Sequence, residues 1–279
     1  MKFNVTKTLI PTLCFRVVLA SGALHGEDIT TTDGQVYPNA SMRRSGALIM
    51  IKVLIPGGTS SVEMGLQPAR IAKINFAEPP ELSKATAAAA KGNANVVMNL
   101  TATYVTQQGD YKDLPGSWWP EMARLRLLAL ASAAKDSECS DLARQIGALR
   151  IPWAESLARG GALFGPLSSS DTEAVVVGAK ALPRLGGDQG SALAQLALGR
   201  ALLLKKDNAG AIRAFLTVKV FYPSIALLQP AVLMGTASSY EALNDKKRAL
   251  QSLNEVVTVW PDSPQAAEAK KKSDALGKP

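Results

Sequence analysis

A near-repeat in the last third of the chain constrains its fold more than any other feature. Leu198-Gly199, Ala211, Phe215 and Pro223 recur as Thr236-Ala237, Ala249, Leu253 and Pro261, each 38 residues later. Small residues inside two helices, a bulky residue on the second and a closing proline describe one helical hairpin that stacks on its neighbours. Such a hairpin holds other molecules and carries no chemistry of its own.

The helical pattern extends well upstream. Periodic apolar segments predict helices at 80–91, 94–107, 118–134, 138–149, 151–164, 170–182, 190–205, 208–221, 228–243, 246–260 and 264–276. Between them sit Gly92-Asn93, Gly109-Asp110, Pro115-Gly116, Gly165-Pro166, Gly186-Gly187 and Asp207-Asn208, the residues that stop helices. Aromatics are 5% of a chain that is 47% hydrophobic, a balance suited to close-packed alanine- and leucine-rich helices. Paired antiparallel helices with short connections predict an α-solenoid over 79–277.

Residues 28–77 read differently. Ile29 to Thr32 leads into Asp33-Gly34, a hairpin signal, and a strand follows through Val36, Tyr37 and Ala40 to a turn at Ser45-Gly46. Leu48–Ile55 is an apolar run closed by Pro56-Gly57-Gly58, Ser61–Leu66 alternates, and Ile71, Ile74 and Phe76 supply a last strand. Short strands so closely spaced predict a small bent β-barrel, and the fold class is therefore α+β with two parts. Glu78-Pro79-Pro80 marks the junction, with proline in the first turn of the first helix.

The N-terminus has the layout of a secretory signal peptide over 1–26. Lys2 and Lys7 precede an apolar stretch from Leu9 to Ala20, then Ser21, Gly22 and Ala23, with cleavage expected near Ala23 or Gly26. The alternative, an anchor that stays attached, suffers from a run too short to span a bilayer comfortably. Cleavage removes Lys2, Lys7, Arg16 and the single histidine, His25, and lowers the net charge from +8 to +5. A surplus that small argues against nucleic acid as a partner. Cys139 is then the one cysteine left, so no internal disulfide forms, which fits a bacterial periplasm.

Candidate catalytic groups are few. Without histidine, His-based zinc sites, Ser-His-Asp triads and Cys-His dyads are closed to the mature chain. Cys139 sits in Ser137-Glu138-Cys139-Ser140-Asp141, where acidic neighbours raise a thiol pKa. Gly57-Gly58-Thr59-Ser60-Ser61 lacks the lysine of a phosphate loop, and Gly186-Gly187 follows a helix rather than a strand. The expectation is a non-enzymatic protein with no cofactor and no metal. Trp118-Trp119 offers two readings, helix packing after an N-capping Ser117 or a sugar-stacking platform, and packing is favoured for these and for Trp153 and Trp260.

Segments 192–225 and 230–263 resemble tetratricopeptide repeats. Leu198-Gly199, Ala211, Phe215 and Pro223, then Ala237, Tyr240, Ala249 and Pro261, fall where that family places its small, aromatic and proline residues. The run Trp260-Pro261-Asp262-Ser263-Pro264-Gln265-Ala266 is similar to that of bacterial envelope repeat proteins. The β-region, through Asp33-Gly34, Tyr37 and Ala69 to Ile74, resembles Sm-like or SH3-like barrels. The resemblance implies a scaffold or adaptor of the bacterial cell envelope that holds a protein or peptide in the solenoid groove. It maps the groove to Leu196, Arg200, Leu203, Met234, Ser238 and Glu241, with Arg200 as a clamp for a peptide carboxylate. The alternative is a carbohydrate- or peptidoglycan-associated module using the barrel and Trp118-Trp119. An adaptor of this kind is expected to leave its inner surface open, and a final helix that filled it would count against the reading.

Overall fold

The structure is a computed structural model and describes residues 24–54, 60–149, 151–182 and 188–277. Residues 1–23 of the expected signal, all of residues 55–59 and the Gly186-Gly187 stretch lie outside the described residues.

The β-region folds as five antiparallel strands, β1 (Leu24–Thr31), β2 (Val36–Ser45), β3 (Leu48–Leu54), β4 (Ser61–Leu66) and β5 (Ile71–Ile74). Their order is β4-β3-β2-β1-β5. The strand pairing differs from a closed barrel: β4 and β5 are the two edges and do not pair with each other. The physical reason lies in β5, only four residues long and hydrogen-bonded to β1 alone among the strands. The sheet's apolar face, Ile29, Met42, Ile49, Ile51 and Ile74, is instead completed by Tyr111 and Leu114 from the helical part.

Twelve α-helices follow among the described residues. They are α1 (Pro80–Ala90), α2 (Ala94–Gln107), α3 (Trp119–Ser132), α4 (Asp136–Gly147), α5 (Pro152–Ala162), α6 (Phe164–Ser168), α7 (Thr172–Lys180), α8 (Gln189–Leu204), α9 (Asn208–Phe221), α10 (Gln229–Ala242), α11 (Lys246–Val259) and α12 (Ala266–Leu276). Eleven sit close to the expected spans. The exception is α6, a single turn and a half around Gly165-Pro166, which the sequence pattern presents as an interruption.

The helices form five hairpins and a terminal helix among the described residues. The turns inside the hairpins share one device, a residue of positive φ followed by a helix N-cap. Gly92-Asn93, Ser170-Asp171, Lys206-Asp207 and Asn244-Asp245 all follow it, and Ala134-Lys135 takes the same backbone without a side-chain cap. In the four capped turns an Asn or Asp oxygen accepts an amide hydrogen bond from the residue three positions on. The upstream hairpins therefore share the turn geometry of the downstream ones.

Phe215 explains the small residues of the near-repeat. Its ring wedges between α8 and α10 where both present glycine: a Cβ on Gly199 would lie 2.5 Å from the ring, and one on Gly235 2.4 Å. In the following hairpin the ring is replaced by Leu253, and the position matching Gly199 is Ala237. Wedge and hole change size together.

Sheet and helices are joined by the segment between α2 and α3. Tyr111 donates its hydroxyl to Met42 O (3.0 Å), Trp118 Nε1 donates to Phe76 O (3.3 Å), and Arg44 pairs with Asp113 (2.6 Å). Gly116, at φ +86°, lets the backbones meet, since a Cβ there would stand 2.3 Å from Ile74 O.

The array also closes on itself. Gly92, after α1, packs on Pro230 and Trp260, Lys91 pairs with Asp262 (3.3 Å), and Gln265 Nε2 donates to Ser132 O (2.9 Å). The two ends of the helical run touch, so the solenoid is a closed turn.

The Phe215 wedge sets an expected outcome for urea unfolding. Gly199→Ala overpacks the ring and destabilises by ~1–3 kcal/mol. Combined with Phe215→Leu, the loss falls at least ~0.5 kcal/mol short of the sum of the two single losses. Strict additivity would show that the ring does not set the size of residue 199.

Candidate functional site

The six expected groove residues do not form one open surface. Leu196 is fully buried, because α8 is apolar on every side and neighbours cover it all round. Arg200, Leu203, Met234 and Ser238 do converge on one cleft of about 420 Å3, while Glu241 lies outside its lining. That cleft is partly roofed by the last helix, through Gln265, Glu268 and Lys272. The open inner surface expected here is thus corrected: the end of the chain folds back over it.

Arg200 is already engaged. Its two terminal nitrogens each lie 2.8 Å from one oxygen of Asp136 in the first turn of α4. The guanidinium also stands 5.7 Å from the Phe164 ring centroid. A fork so occupied ties α8 to α4, and its end-on edge is already taken by a carboxylate.

Cys139 is buried in the same region, and its thiol is pushed far above the ordinary range, by burial first and then by the Asp136 carboxylate. It has no thiolate to offer as a nucleophile at neutral pH. No group of three His, Cys, Asp or Glu side chains that could hold a metal occurs among the described residues.

The tryptophans divide. Trp119 is buried with its Nε1 donating to Val105 O (2.8 Å), and half-buried Trp118 is bound to the Phe76 carbonyl just past β5, so the pair forms no stacking platform. Ser117 Oγ accepts from Trp119 N, but the N-cap of α3 is Trp118, one residue later than expected, and makes no side-chain cap. Trp153 departs from the packing expectation: it is 40% exposed near the start of α5.

Trp153 lies in the better candidate, a trough that the sequence reading missed. The trough consists of two clefts that share Glu121 and Arg124 of α3. One, about 590 Å3, runs along α1 past Leu82, Thr86, Ala87 and Ala90. The other, about 370 Å3, lies among Trp153 and Leu157 of α5 and Asp188-Gln189 at the start of α8. The trough therefore crosses the first helices of four successive hairpins.

Its polar groups are unevenly satisfied. Burial opposes ionisation of Asp188, but the Ser191 and Ser156 hydroxyls and the Ser191 and Gly190 amides outweigh it and hold the carboxyl below the usual range. Asp188 is the N-cap of α8 and is spent on structure. Glu121 is not: its Oε2 is enclosed and accepts no hydrogen bond, with Arg124 Nε at 3.6 Å as an ion-pair partner. An exposed indole, aliphatic walls and a carboxylate oxygen in need of a donor suit an extended polypeptide segment. The signal for it was in the sequence, as Trp153 one turn before Leu157 and Glu121 three before Arg124, but only the stacking of α1, α3 and α5 brings them together.

With this geometry in place, comparison with known proteins adds one match. A family model described as tetratricopeptide repeat matches residues 231–263. Residues 231–263 are thus similar to a tetratricopeptide repeat. They comprise nearly all of α10, all of α11 and the Trp260-Pro261 end. Repeats of this family generally mediate protein–protein contacts and are typically non-catalytic. No curated protein and no solved structure matches the chain.

Asp188 gives a pH-dependent test. A carboxyl held low in the folded state contributes stability that is present above its unfolded pKa and lost as pH falls through the folded value. The stability difference between wild type and Asp188→Asn, read by urea unfolding, is therefore constant above about pH 5 and shrinks as the pH falls below about 4. A difference that does not change down to pH 2 would contradict the assigned bonding.

Proposed function

We propose that this protein is an exported, non-enzymatic scaffold of the bacterial cell envelope that holds a segment of a partner protein. The observation that carries the reading is the trough across α1, α3, α5 and the start of α8, with Glu121 and Arg124 common to its two clefts and exposed Trp153 in one of them. Tetratricopeptide architecture at 231–263 supports it, since these repeats commonly hold proteins.

The trough replaces the α8–α10 surface as the place of binding. Arg200 is the latch of the array, and Leu203, Met234 and Ser238 line a cleft partly covered by α12. Docking through Tyr111 and Trp118 fixes the sheet relative to the helices, so a partner that reaches both meets one preset surface.

Export rests on the charged, apolar and small-residue order of residues 1–26. Strand β1 begins at Leu24 and carries buried Glu27, so cleavage after Ala23 leaves the strand whole and cleavage after Gly26 shortens it. Among the described residues no helix is long and apolar enough to cross a membrane.

The test is affinity capture from a native envelope extract with the full mature chain, after N-terminal sequencing. The mature chain is expected to begin at Leu24 and to retain one stoichiometric protein, whose recovery falls at least tenfold with Trp153→Ala. Retention on cell-wall glycan instead, lost with the same substitution, would replace the scaffold by a carbohydrate-binding module.

A further inference from the structure

The second helices of consecutive hairpins are not equally spaced in their contacts. Between α9 and α11 the gap is bridged by Lys219 and Glu255, 2.5 Å apart. Between α7 and α9 no hydrogen bond or ion pair spans the gap among the described residues. Helix α7 has nine residues against fourteen in α9. A cleft of about 640 Å3 lies there, with Leu198 and Leu202 of α8 in its lining.

Two properties of this cleft identify an occupant. Val220 and Phe221, in the last turn of α9, line it while 64% and 63% exposed, more than any other large apolar side chain among the described residues. Neighbouring Val177 on α7 is 61% exposed. Adjacent apolar side chains exposed together beside a cleft mark an interaction surface, as isolated ones do not. The cleft is also basic: Lys180 and Arg213 line it, and neither has an ion-pair partner among the described residues. Its single carboxylate, Asp207, is spent capping α9 through Gly210 N (2.8 Å), and Glu173 on α7 is taken by Lys205 (2.6 Å).

We propose that the α7–α9 cleft is a second docking groove, for an acidic amphipathic segment of a partner protein. Apolar side chains of the segment cover Leu198, Leu202, Val220 and Phe221, and its carboxylates meet Lys180 and Arg213. The groove lies on the second-helix side of the array and does not depend on the trough.

The probe is a pair of fluorescein-labelled amphipathic 16-residue peptides with the same leucine face, one flanked by glutamates and the other by lysines. Binding to the full mature chain is followed by fluorescence anisotropy. The glutamate peptide is expected to bind at least tenfold more tightly, and Phe221→Ser and Arg213→Glu each to weaken it about tenfold. Both replace exposed or groove-lining side chains, and unchanged thermal melts verify that the fold is kept. Trp153→Ala leaves this binding unchanged, which separates the groove from the trough. Equal affinity for the two peptides, or indifference to Phe221→Ser and Arg213→Glu, would overturn the proposal. So would a dimer in sedimentation that Phe221→Ser dissolves, because the occupant would then be a second copy.

Discussion

Two helices of this protein, α3 and α8, have almost no polar face. Met122, Ala123, Leu125 and every residue from Leu127 to Ser132 are buried on α3, as is every residue from Gly190 to Gly199 on α8. A helix that is apolar all round must be covered all round. An open superhelix leaves the inner side of such helices in water, so the array has to wrap until its ends meet. The contacts of Gly92 with Trp260 and of Gln265 with Ser132 are the consequence. Clefts open where these helices turn polar, at Glu121 and Arg124 on α3, at Asp188-Gln189 at the start of α8 and at Arg200 near its end, and also over Leu198 and Leu202 of α8, where α7 falls short of α9.

This constraint separates what was legible in the sequence from what was not. Helix ends were legible because glycine, proline and capping aspartates act locally, and Ala94–Gln107 and Asn208–Phe221 begin and end where periodicity put them. The strand at Ser61–Leu66 was legible for the same reason. Segment 109–117, which reads as punctuation, completes the sheet core through Tyr111 and Leu114, and nothing local announces that a loop will plug a distant sheet. Arg200 falls at a groove position of the tetratricopeptide pattern that its segment resembles, yet its partner Asp136 lies 64 residues away and is found only by folding.

The same reasoning shows why the candidate surface moved. A repeat-based mapping assumes that equivalent positions line an open groove. In a closed turn the later hairpins face the earlier ones, and Leu196 becomes core. Trp153 lies instead on α5, in a hairpin whose sequence departs most from the repeat and whose second half is split into α6 and α7. Loss of regular stacking in that hairpin leaves Trp153 exposed on one side of the array and the α7–α9 cleft on the other.

Closure of the array is the claim on which every assignment of a free surface rests. Its most direct measurement is the distance between spin labels at positions 91 and 262 in Lys91→Cys, Asp262→Cys protein, with buried Cys139 left in place. The account predicts a single narrow distribution at the short end of the range, as expected for labels replacing an ion pair. A broad distribution centred tens of ångströms away would mean an open solenoid, and would return Leu203, Met234 and Ser238 to the binding surface.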